Sequence, residues 1–195
     1  MKKEIERRTI KMEFRATMEN EKPMIRGVAA VFNSPSEDLG GFREKISPGA
    51  FKSAIENSDI RALFNHDSNM ILGRTTSKTL RVAETENGLE YECDMPDTTY
   101  ARDLMTCMQR GDINQCSFGF SIDEGDDEFE KDSLGQWTRT IKRVARLYDV
   151  SPVTYPAYVS TECSLRSLEK AKAREEPPFN DISLRKMRIE IESII

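Results

Sequence analysis

Past a charged start at residues 1–8, read as frayed, apolar and polar positions alternate strictly. Ile10, Met12, Phe14, Ala16 and Met18 interleave with Lys11, Glu13, Arg15 and Thr17, the period of two expected of a half-buried strand. A second strand, rich in Val and Ala, is predicted over residues 25–32, with Asn33-Ser34-Pro35 closing it. Pro35 and the pair Gly40-Gly41 mark residues 34–41 as a loop, followed by a short extended piece at 42–46. Ser47 offers an N-cap and Pro48 suits the first helical position, so a helix is predicted over 48–57. A third strand at 59–64 runs into Asn65-His66-Asp67, and a short one follows at 71–74. Strands at 79–84 and 89–94 flank Thr85-Glu86-Asn87-Gly88, a hairpin signal because Asn-Gly supplies the positive φ of a tight turn. A helix is predicted from Pro96 through Arg110, with Tyr100, Leu104, Met105 and Met108 at helical spacing and Gly111 as its stop. Long strands at 113–122 and 136–148, joined by an acidic loop, complete a strand-rich core of about seven strands with two helices packed on it.

The character changes after Tyr155-Pro156-Ala157, dividing the chain into a domain over residues 1–159 and a charged, helix-prone tail over 160–195. Pro177-Pro178 breaks the tail, and beyond it Ile182, Leu184, Met187, Ile189, Ile191 and Ile194 recur among charges. An amphipathic helix beyond such a break buries its apolar face only against a partner, which makes an assembly or delivery segment the alternative to a solvated terminal helix.

Composition narrows the class. The 195 residues are 37% hydrophobic and 32% charged, enough for a core without staples. The four cysteines form no C-x-x-C pair and no apolar leader precedes the first strand, which points to a reducing, cytoplasmic setting and away from a disulfide scaffold or zinc ribbon. No window approaches the roughly 18 apolar residues of a membrane span. The net charge of −5 is local: Asp123, Glu124, Asp126, Asp127, Glu128, Glu130 and Asp132, offset by Lys131, give the acidic loop −6 and leave +1 elsewhere. No basic stripe interleaves with aromatics, so no nucleic-acid partner is expected.

One histidine limits the chemistry. His66 is the only imidazole, which excludes two-histidine metal motifs and leaves it as the sole candidate for histidine general-base work; no metal or cofactor is expected. Two potential nucleophiles stand side by side in Gln115-Cys116-Ser117-Phe118-Gly119-Phe120, and strand alternation separates them. Cys116 joins Phe118, Phe120 and Ile122 on an apolar face as a small buried hydrophobe. Ser117 shares the opposite, small and polar face with Gln115, Gly119 and Ser121, and Gly119 leaves room there for a substrate backbone. A serine needs a base to take its proton, and that base needs an orienting group on its second ring nitrogen. Asp149 is the leading candidate orienter, since it follows Ala145 and Leu147 on an otherwise apolar strand face; Asp67, Glu44 and Asp94 stay open.

Four blocks together resemble the serine-type prohead (capsid maturation) proteases of tailed bacteriophages: Phe42 to Phe51, Leu63-Phe64-Asn65-His66-Asp67, Ser117-Phe118-Gly119-Phe120, and Asp149 to Ala157. The resemblance spans residues 10–160, with the blocks in the family's order. It implies Ser117 as nucleophile and His66 as base, and a distant similarity to the herpesvirus assemblins, whose third catalytic member is a second histidine that this chain lacks. It further implies an α+β fold with a mainly antiparallel, barrel-like core. The expected activity is a serine endopeptidase acting on the major capsid protein's scaffolding segment or a scaffold protein, and on its own tail, inside the assembling prohead in the host cytoplasm. A homodimer or higher homo-oligomer is left open. The rival is a non-catalytic assembly protein of protease-like fold.

Overall fold

The structure, a computed structural model, describes residues 5–11, 15–19, 22–155 and 162–175. It falls into two units, Met1–Ser160 and Thr161–Ile195. In the first, the strands are β1 (Glu6–Lys11), β2 (Arg15–Glu19), β3 (Lys22–Ala30), β4 (Phe42–Ile46), β5 (Arg61–Phe64), β6 (Asp67–Arg74), β7 (Leu80–Glu84), β8 (Leu89–Asp94), β9 (Gln115–Ser121), β10 (Asp127–Lys131), β11 (Trp137–Ile141) and β12 (Arg146–Val153). Helix α1 (Lys52–Asn57) lies between β4 and β5, and α2 (Thr99–Arg110) between β8 and β9; the second unit contributes α3 (Glu162–Glu175). The amphipathic stretch at 181–195 lies outside the described residues, as do Met12, Phe14, Pro156 and Ala157.

The fold is α+β, but the expected barrel is not there. The strands form three open sheets, ordered β1-β9-β12-β5-β6, β10-β11-β4 and β2-β3-β8-β7. The edge strands of the first, β1 and β6, do not pair with each other, so that sheet does not close. Two of the pairings, β12 with β5 and β11 with β4, are parallel. Among the described residues twelve strands replace seven, because several alternating runs are broken in space. The run from Ile10 to Met18 contributes to β1 and β2, which belong to different sheets, and the run 136–148 divides into β11 and the start of β12. The acidic loop contains β10, and within it Asp126 is buried beside Arg143 (2.7 Å).

The core gathers between the five-stranded and four-stranded sheets and the first two helices. Phe118 stacks on Phe120 at 5.1 Å and meets Phe51 edge-on at 5.6 Å, while α2 turns Ala101, Leu104, Met105 and Met108 inward. Helix α1 begins later than its capping signal suggests. Ser47 does not cap it; the backbone N–H groups of Gly49 and Phe51 instead donate to the Glu84 carboxylate of β7. The β7–β8 turn needs its glycine for a second reason besides φ (143°): a β-carbon at Gly88 would lie 1.9 Å from the Ala30 carbonyl oxygen.

The charged start is not frayed at Glu6 and Arg8. Both are buried, in an ion network that joins β1 to β4, β10 and β11. Fully buried Arg139 donates to Glu6 (2.7 and 3.0 Å), Glu44 (2.8 Å) and Asp127 (2.7 Å), and Arg8 donates to Glu44 (2.7 and 2.8 Å) and Glu6 (2.7 Å). Burial works against the Arg139 charge, but the Glu6 hydrogen bonds and the surrounding carboxylates outweigh it and hold its pKa above the ordinary arginine value.

Candidate active site

Three side chains of the five-stranded sheet and its β5–β6 turn meet in one hydrogen-bonded line. His66 Nε2 lies 2.7 Å from Ser117 Oγ, and His66 Nδ1 lies 2.5 Å from Asp149 Oδ1. A carboxylate only accepts, so the ring proton belongs on Nδ1 and leaves Nε2 free to accept from the serine hydroxyl. Ser117 is 0% exposed, and the His66 and Asp149 side chains retain only 6% and 8%. The line is therefore shielded from water, where such contacts are stronger.

Each position has a local cause. Ser117 points away from Cys116, Phe118 and Phe120 by simple alternation along β9. His66 occupies the second position of a two-residue turn between β5 and β6, in which Asn65 (φ 53°) and His66 (φ 57°) are both left-handed. Asn is among the residues that tolerate this conformation, and Asn65 also ties the turn down. Its N–H donates to the Pro152 carbonyl (3.0 Å), its Nδ2 to Thr154 Oγ1 (3.2 Å), and its Oδ1 accepts from the Thr154 N–H (2.8 Å). The imidazole is thus fixed relative to the end of β12.

Asp149 arrives by a β-bulge. In the β12–β9 ladder Leu147 opposes Phe120 while Asp149 opposes Gly119, so Tyr148 is the extra residue. Uninterrupted alternation puts Asp149 on the face of Leu147, against the core; the bulge turns it to the Ser117 face. Asp149 therefore reaches His66 for a different physical reason from the one its spacing suggested. Gly119 is also accounted for differently. A β-carbon there would sit 2.6 Å from Asp149 Oδ2, so the missing side chain makes room for the carboxylate rather than for a substrate backbone. Ser151, fully buried, donates its hydroxyl to Asp149 Oδ1 at 2.7 Å.

The other sequence candidates lie elsewhere. Glu44 belongs to the buried ion network, Asp94 binds Arg81 (2.9 Å to each oxygen), and Asp67 accepts from the Asn69 backbone (2.8 Å). Cys116 faces the core beside Tyr91, and burial pushes its thiol up to about 12, far from the thiolate a nucleophile requires. Among the described residues no cluster of three or more His, Cys, Asp or Glu side chains is placed to hold a metal ion, and no helix is long and apolar enough to cross a membrane. Sequence reasoning missed Ser151, the bulge and the Asn65 tether. Only the last left a signal, an Asn-led two-residue turn between strand-like runs.

The family model described as caudovirus prohead serine protease matches residues 10–174. The prohead protease of Enterobacteria phage HK97 is 31% identical over 149 residues, which cover 74% of this chain. The chain spans 60% of the length of that relative. No solved structure matches.

Proposed function

The chain belongs to the caudovirus prohead serine protease family, and from that premise we propose that it is a serine endopeptidase of capsid maturation. Ser117 is the nucleophile, His66 the general base and Asp149 the group that orients the imidazole. The observation that carries this reading is the continuous line Ser117–His66–Asp149 at 2.7 and 2.5 Å on one sheet face. Ser117 Oγ attacks the substrate carbonyl as His66 Nε2 takes its proton. The imidazolium so formed is stabilised by Asp149, whose Oδ1 is held by Ser151, and it returns the proton to the leaving amine. Water then releases the acyl-enzyme with His66 again as base.

The substrates are the scaffolding segment of the major capsid protein or a separate scaffold protein, and the chain's own tail over 160–195, cut inside the assembling prohead. The test is co-expression of the full chain with the major capsid protein of its phage, comparing wild type with Ser117→Ala and His66→Ala by intact mass. Wild type alone is expected to remove a defined capsid segment. Processing that persists in Ser117→Ala would sink the assignment. Identical C-termini in the wild-type and Ser117→Ala chains after prohead assembly would remove the tail from the list of substrates.

A further inference from the structure

The face of the five-stranded sheet that carries Ser117 is cationic, in a chain whose net charge is −5. Register partners on neighbouring strands project to the same side. One row across the sheet accordingly reads Arg7, Gly119, Asp149, Arg61 and Arg74. Arg146, opposite Ser121, stands in the next row on the same side. Four arginines thus face the single carboxylate of Asp149, which is engaged by His66 and Ser151, with Asp59 at the margin. Arg61 and Arg74 share Asp59, at 3.1 and 2.5 Å. Arg7 and Arg146 are exposed, and neither has an ion-pair partner among the described residues; Arg146 lies over the Tyr148 ring at 4.9 Å. The contrast with the other side of β1 is sharp, since Arg8 and Arg139 are enclosed by Glu6, Glu44 and Asp127.

Position adds to charge. Arg7 on β1 and Arg146 on β12 flank β9 from its two sides. Strand spacing and rise put their α-carbons about 8 Å and about 14 Å from that of Ser117, both toward the Ser121 end. Between them Ser117 and Ser121 are buried, with Ile5 over Gly119 and Tyr148 against Ser121, so a peptide flank that runs from Ser117 toward Ser121 crosses above these side chains with a guanidinium group on either side. We propose that this face docks an extended acidic segment of the substrate polypeptide adjoining the scissile bond, with Arg7 and Arg146 receiving its carboxylate side chains. The placing of the scissile bond rests on the reading of Ser117 as nucleophile; the docking rests on register and charge.

The probe is fluorescein-labelled octaglutamate, with octaglutamine as the neutral control, titrated with the full chain and followed by anisotropy. Octaglutamate is expected to bind, octaglutamine not, and binding is expected to weaken as salt rises. The double variant Arg7→Glu/Arg146→Glu should bind about tenfold more weakly, and Arg7→Gln/Arg146→Gln should weaken binding in the same direction by less. Lys52→Glu, the same charge change on the exposed side of α1, should leave binding as it was. Octaglutamate that fails to bind, or that binds both double variants as tightly as wild type, overturns the proposal. Fluorophosphonate labelling of Ser117 separates the two readings. An unlabelled chain that still binds octaglutamate through the arginines would reject the nucleophile and keep the docking face. A labelled chain with charge-independent binding would do the reverse.

Discussion

Replacing Gly119 with alanine adds one methyl group and probes the site where its tolerance is least. The new β-carbon would stand 2.6 Å from Asp149 Oδ2 and 3.5 Å from both Asp149 Cγ and Ile5 Cγ2. Ordinary contact begins at 3.4 Å, so the carboxylate must withdraw by about 0.8 Å. It has no slack, because Oδ1 is held by His66 at 2.5 Å and by Ser151 at 2.7 Å. Taken along the bond to His66, that withdrawal opens the contact to about 3.3 Å, beyond the usual range of about 2.7–3.2 Å. A displacement of this size in a catalytic constellation costs on the order of 100-fold in rate. The ceiling is the loss of the orienting carboxylate altogether, roughly 10⁴-fold in serine proteases with a full triad. The overpacked site also loses about 1–3 kcal/mol of stability. The assay is the pseudo-first-order rate of fluorophosphonate labelling of Ser117, with Asp149→Ala as the reference for complete loss and urea unfolding run alongside. Gly119→Ala is expected to fall between wild type and Asp149→Ala. If Gly119→Ala labels as fast as wild type while Asp149→Ala is slow, the steric argument fails. If all three label equally, Asp149 has no orienting role.

Asn65→Gly keeps the left-handed turn but cuts the side-chain tether to Thr154, so both it and Asn65→Ala should slow Ser117 labelling. Only Asn65→Ala should also lose about 1–2 kcal/mol relative to the glycine variant from its positive φ, and equal stability of the two would contradict the turn assignment. Arg139→Met leaves Glu6 and Glu44 facing a hole in their ion network and should lower the unfolding free energy by about 3–5 kcal/mol. Adding Glu6→Gln, which leaves buried Arg8 paired with Glu44, should restore part of it, and a double variant no better than the single one would refute the pairing. Burial opposes the Glu6 charge, but Arg139 and Arg8 more than compensate and hold its carboxyl below the ordinary 4.5. Its stabilisation is present above pH 4.5 and drains as pH falls through the lower folded value, so urea midpoints should drop in that window for wild type and drop less for Glu6→Gln.

Much of the site was legible because its residues obey short-range rules. Alternation alone put Ser117 and Cys116 on opposite faces, and the count of one histidine left no other imidazole base. Hairpin chemistry located the β7–β8 turn, and helical spacing found the inward face of α2. What escaped is non-local. Nothing in the run from Arg146 to Val153 announces that Tyr148 is extra, since a bulge is decided by the partner strand and not by the bulged residues. Gly119 looked like open space until the carboxylate opposite it was placed. Glu6 and Arg8 read as solvated charges because the groups that bury them, Glu44, Asp127 and Arg139, lie far along the chain. The barrel failed for a similar reason: closure depends on whether the two edge strands meet, which local pattern does not encode.

The order of strands in the five-stranded sheet governs when the site comes into being. β12 is the last of its strands to leave the ribosome, yet it sits at the centre, with β9 on one side and β5 on the other. Until it is inserted, Ser117 belongs to one half-sheet with β1, and His66 to a separate hairpin of β5 and β6. A nascent chain that stops short of Arg146 already contains Ser117 and His66 but has no strand to hold them in register, no Asp149, and no Thr154 to receive Asn65. Translation past Thr154 therefore precedes assembly of the Ser117–His66–Asp149 line, and a chain truncated before Arg146 cannot build it.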